Sequence, residues 1–110
     1  MSAKDEDFRK IDAFLDRKLE TYKSFSYLEL SQLPKYTDID VTDDVDGFSV
    51  GLYREKLKNG NLMIVVQGFK NRRKAFLKIF SANTLRAKGF LIQLDGVIGE
   101  VPQKDMWEYL

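Results

Sequence analysis

Between residues 47 and 94 the chain carries ten lysines and arginines and a single acid, Glu55. Lys70, Arg72, Arg73 and Lys74 form the densest group, with Lys78, Arg86 and Lys88 following. Cations in that number neutralise phosphates and steer anionic partners, so the chemistry they suggest is recognition of nucleic acid or of an acidic protein surface. Phe69, Phe76, Phe80 and Phe90 interleave with them. That is the composition of a base-stacking platform, although no RNP-type signature accompanies it. The plainer alternative is that the bases are solvated turn and edge residues and the phenylalanines face the core.

The formal net charge of +1 conceals this segregation. Residues 1–46 hold 12 acids and 7 bases, a balance of −5, whereas residues 47–110 hold 5 acids and 11 bases, a balance of +6. Five of those acids, Asp38, Asp40, Asp43, Asp44 and Asp46, crowd one stretch. Clustered carboxylates suggest calcium or a phosphate mimic, but an EF-hand loop needs oxygen ligands at alternating positions, a central glycine and a final Glu. This spacing does not match. Aspartates also favour turns and caps, and the segment reads as an acidic connector containing at most one short extended piece.

The chain has no cysteine and no histidine. Disulfides, thiolate chemistry, the usual zinc ligands and every His-based triad are thereby excluded. Catalysis would have to rest on Asp, Glu, Lys, Arg, Tyr, Ser or Thr, and no spacing singles out an acid–base pair. The seven glycines form neither a P-loop nor a GxGxxG pattern. No catalytic residue, metal ligand or cofactor is assigned.

These residues must be positioned by a small number of elements. Phe8, Ile11, Leu15, Leu19 and Tyr22 recur at steps of three and four, which predicts an amphipathic helix over about residues 5–23. Acids at Asp5, Glu6 and Asp7 suit its N-terminus, and Glu6 with Lys10 is a favourable pair four apart. Ser26 and Glu29 have capping-box spacing, which predicts a short second helix over 27–33, stopped by Pro34. From Phe48 the period becomes two. Strands are expected from Phe48, over Leu62–Phe69, Ala75–Phe80 and Gly89–Leu94, and over Val97–Val101. Asn59-Gly60 and Asp95-Gly96 mark tight turns, and residues 81–88 read as a loop. Pro102 ends the last strand, and residues 103–110 suit a short helix packing Met106, Trp107 and Leu110. The expected fold is therefore one α+β domain over residues 1–110. An N-terminal helix and a short second helix pack on a five-stranded antiparallel meander, with a short C-terminal helix.

The middle strands are apolar on both sides. Leu62, Ile64 and Val66 alternate with Met63, Val65 and Phe69, and Leu77 and Ile79 alternate with Phe76 and Phe80. A sheet with one wet face shows cleaner alternation, so Met63, Val65, Phe69, Leu77 and Ile79 are candidate interface residues. The terminal helix, sheet curvature, a ligand or a second copy could each cover them.

The N-terminus lacks a signal-peptide stretch and the longest apolar run is the five residues Leu62–Val66, so a cytoplasmic protein without a membrane span is expected. Taken together, the residues suggest a noncatalytic protein-interaction domain of the inhibitor, adaptor or immunity type, acting on a protein partner or by self-association. A nucleic-acid-binding module using the basic hairpin is the alternative, and a small-molecule-binding domain the third reading.

Overall fold

A computed structural model describes residues 3–45, 47–70 and 85–106. Helix α1 spans Ala3–Lys23. It buries Ile11, Phe14, Leu15 and Leu19, none more than 5% exposed, because steps of three and four residues return side chains to one face. Lys10 and Glu6, 3.5 Å apart, pair on the solvent side. Helix α2, Tyr27–Ser31, opens with the expected capping box: the Glu29 amide donates to Ser26 Oγ at 3.1 Å, and the Ser26 amide donates to Glu29 Oε1 at 2.8 Å. Two of the four orphan N-terminal amides are thereby satisfied.

Five antiparallel strands follow in meander order: β1 Tyr36–Ile39, β2 Phe48–Lys56, β3 Leu62–Lys70, β4 Leu85–Ile92 and β5 Ile98–Glu100. Residues 103–106 form a short helix, α3. The core lies between α1 and one face of the sheet, where Phe48, Val50, Leu52, Leu62, Ile64, Val66, Phe90 and Ile92 meet the apolar stripe of the helix. At Gly68 the approach is so close that a Cβ would stand 2.7 Å from Ile11 Cδ1.

The α+β class, the meander order and the helix-on-sheet packing agree with the sequence-based expectation, but strand membership differs. The extended piece inside the acidic connector is a full edge strand, with Tyr36 opposite Tyr53 and Ile39 opposite Val50. Residues 85–88, expected in a loop, belong to β4 and pair with β3 from Phe69–Leu85 to Val66–Lys88. The expected strand Ala75–Phe80 lies outside the described residues, as do Trp107 and Leu110.

Both glycine turns are present. The Leu57 amide donates to Asn61 O at 2.8 Å and the Gly60 amide to Leu57 O at 3.0 Å; Gln93, Val97 and Gly96 repeat the pattern at 2.9 and 2.8 Å. Gly60 and Gly96 each take φ of 90°, and no other described residue type has positive φ. These are three-residue loops ending in a glycine bulge, because a two-residue type I′ turn would also need positive φ at Asn59 and Asp95.

Candidate functional site

Arg86 and Lys88, two of the candidate binding cations, sit on the helix-facing side of β4. Arg86 donates from Nε and Nη2 to the two carboxylate oxygens of Asp12, at 2.9 and 2.8 Å, and its guanidinium lies 5.1 Å from the centre of the Phe8 ring. Lys88 Nζ stands 2.8 Å from Asp16 Oδ1. The match is geometric: four helical residues rise about 6 Å and two strand residues about 6.6 Å, so successive carboxylates and cations stay in step. It also requires α1 and β4 to run in the same sense. Its hydrogen bonds to Asp12 hold the Arg86 guanidinium above its ordinary pKa. Arg86 and Lys88, assigned from sequence to a basic binding surface, thus meet acids of the chain's own first helix while remaining partly exposed, at 45% and 32%.

Of the remaining candidate cations, Lys70 ends β3, while Arg72, Arg73, Lys74 and Lys78 lie outside the described residues. The stacking platform is also altered, because Phe90 is 1% exposed in the core.

On the second face, Met63 and Val65 are 3% and 0% exposed in the single chain, so neither side chain offers surface to a partner in this arrangement. Part of the cover on this face is visible. The Tyr36 ring occupies the space over Gly51, where a Cβ would stand 2.5 Å from Cε1, and Val101 lies against Gly89. Tyr36 meets Tyr53 edge-on at 5.0 Å, and the Tyr53 hydroxyl donates to Gln67 Oε1 at 3.2 Å. Phe69 is half-buried, and Leu77 and Ile79 lie outside the described residues.

Among the described residues, four of the five exposed large apolar side chains lie on α2, the β4–β5 turn and β5, and the fifth, Tyr36, lies on β1. Leu28, Leu94, Val97 and Ile98 are 66%, 69%, 52% and 40% exposed. Leu28 and Leu94 flank an open groove of about 400 Å³, lined further by Phe25, Tyr27, Ile92 and Gly96. Three local structures build it. The capping box fixes the start of α2, the Tyr27 hydroxyl donates to Gly60 O and ties α2 to the β2–β3 turn, and the β4–β5 turn carries Leu94. Leu94 Cδ1 reaches the space beside Gly60, 3.6 Å from where a Cβ would stand. A signal for this groove exists in the sequence: Leu94 and Val97 bracket Asp95-Gly96, and turns normally carry polar residues. Tyr27 and Leu28 likewise cannot share the single face that a five-residue helix buries.

A second open cleft, about 530 Å³, forms where β2 runs past the start of β1, between Lys35, Tyr53, Arg54, Glu55 and Lys56. Arg54, in the lining, donates from Nε to Leu33 O at 2.8 Å. Among the described residues no group of acids could hold a metal ion, and no helix is long and apolar enough to cross a membrane.

No protein-family model matches the chain, and no curated protein or solved structure matches it.

Proposed function

We propose that this chain is a noncatalytic protein-interaction domain of the cytosol, of the inhibitor or adaptor kind, that binds through the apolar end formed by α2 and the β4–β5 turn. The observation that carries this reading is the exposure of Leu28 and Leu94 on either side of one groove. Large apolar side chains clustered in the open are costly to hydrate, and such patches mark contact surfaces. The internal pairing of Arg86 and Lys88 adds support, because it draws two cations away from any phosphate-binding surface.

The test is affinity capture from cell extract with and without nuclease, comparing the native chain with a Leu28→Ser/Leu94→Ser variant. Nuclease-resistant protein capture that the variant loses is the expected result. Capture that disappears with nuclease and survives in the variant would replace this reading with nucleic-acid binding, for which Arg72→Glu/Arg73→Glu is the next variant.

A further inference from the structure

Resting on the interaction reading above, we propose that the outer edge of β5 pairs with β5 of a second copy of this chain, antiparallel, across a two-fold axis at Gly99. β5 is an edge strand of the described sheet, and all three of its residues are exposed. The Gln93 amide donates to Val97 O at 2.9 Å, which makes that pair hydrogen-bonded. Antiparallel pairs alternate, so Ile92–Ile98 and Phe90–Glu100 are non-hydrogen-bonded pairs. The N–H and C=O groups of Ile98 and Glu100 therefore point outward.

Those two residues flank Gly99 symmetrically. A two-fold axis at Gly99 sets Ile98 against Glu100 of the second copy, and Glu100 against Ile98, so that four backbone hydrogen bonds form. Glu100 never faces Glu100 directly, and Val97 meets Val101 of the second copy on the other face. Such a contact is self-complementary, as a symmetric dimer requires. The opposite edge of the sheet differs. β1 carries Asp38 in its pairing row, with Asp40 directly after it, and charges of this kind deter an added strand.

The glycine itself points the same way. The other described strand glycines are filled by neighbours: Tyr36 over Gly51, Ile11 over Gly68, and Val65 with Val101 at Gly89. Gly99 has nothing within 4 Å of its Cβ position, and its φ is not positive. Neither crowding nor backbone conformation within the chain calls for glycine there. At the axis, the Cα atoms of a non-hydrogen-bonded pair approach to about 4.5 Å, and two bare glycines let the flanking valines close over it. The ladder is short, so the dimer is weak and concentration-dependent, and Val97 and Ile98 supply its apolar contact.

Sedimentation velocity on the full chain between about 1 and 300 µM, the range over which weak contacts populate, reads the association directly. The expected mass rises from monomer towards dimer. Hydrogen exchange supplies a second measure, with the Ile98 and Glu100 amides slowed about tenfold where about nine chains in ten are dimeric. Val97→Lys, at a position 52% exposed in the monomer, should remove the dimer and leave the melting temperature unchanged. A chain that stays monomeric throughout overturns the proposal, as does a dimer whose Ile98 and Glu100 amides exchange at the monomer rate. A monomer that still captures protein through Leu28 and Leu94 would sink self-pairing alone. A dimer with those protected amides, whose Leu28/Leu94 variant captures the same proteins, would sink only the assignment of partner binding to the Leu28 and Leu94 end.

Discussion

The Arg86 guanidinium and the Asp12 carboxylate, 74 residues apart in the chain, meet edge to edge through two hydrogen bonds of 2.9 and 2.8 Å. Together with Lys88 and Asp16, the pair aligns α1 along β4. The helix is held mainly by its buried stripe, and the two ion pairs lie in step with the parallel run of α1 and β4.

A double-mutant cycle with Asp12→Asn and Arg86→Gln measures this pair. Arg86 and Asp12 are 45% and 25% exposed, so solvent screening limits the coupling to about 0.5–1 kcal/mol at low salt. In about 1 M salt the screening length falls to about 3 Å and the coupling should shrink. Denaturant unfolding of the four proteins reads it. Additive effects at low salt would show that the alignment contributes nothing to stability.

Leu15 and Leu28 should respond oppositely to truncation. Leu15 is 0% exposed beneath α1, and Leu15→Ala should cost about 2–5 kcal/mol through lost burial and a residual cavity. Leu28 is 66% exposed, and Leu28→Ala should change stability by no more than about 0.5 kcal/mol. A large loss at Leu28 would mean that its role is structural rather than binding.

Gly68 permits the close seating of the helix. Gly68→Ala places a Cβ 2.7 Å from Ile11 Cδ1 and 2.9 Å from Cγ1, with Ile11 wholly buried and unable to swing aside. Overpacking of this kind should cost about 1–3 kcal/mol. Ile11→Val removes Cδ1, so Gly68→Ala should cost less in that background. Equal losses in both backgrounds would locate the strain elsewhere.

Two tyrosines should titrate late. The hydrogen bond to Asp38, followed by burial and repulsion from the same carboxylate, holds the Tyr36 phenol above its ordinary 10.0, and burial raises Tyr22. The unfolded chain then ionises first as the pH rises. Their contribution to stability is complete below pH 10.0 and is lost as the pH climbs through the raised values. Ultraviolet titration should show tyrosines ionising beyond the ordinary range, with one fewer in Tyr36→Phe. A single transition at the ordinary value in the folded protein would contradict the Tyr36–Asp38 bond.

How legible each element was depended on how local its cause is. The α1 stripe, the Ser26–Glu29 box and the alternation in β2 and β3 arise from contacts or periodicities within a few residues, so their residue types declare them. β1 declared itself only as a short extended piece of the connector, because Tyr36, Thr37, Asp38 and Ile39 make a weak strand alone and become an edge strand by pairing with β2. The start of β4 resembled a loop for the same reason. Arg86 and Lys88 look solvated until Asp12 and Asp16 stand opposite them.

The sequence by itself determined the helix-then-sheet order, the two glycine turns and the absence of cysteine and histidine chemistry, because composition and short-range spacing suffice for each. Only the tertiary structure decided that the basic β4 residues meet acids of α1, that Met63 and Val65 are covered within the chain, and that Leu28 and Leu94 share an open groove. Each of these is a meeting of residues distant in sequence. Such meetings depend on long-range packing, and a local pattern, such as Leu94 beside a turn, shows only one of the partners.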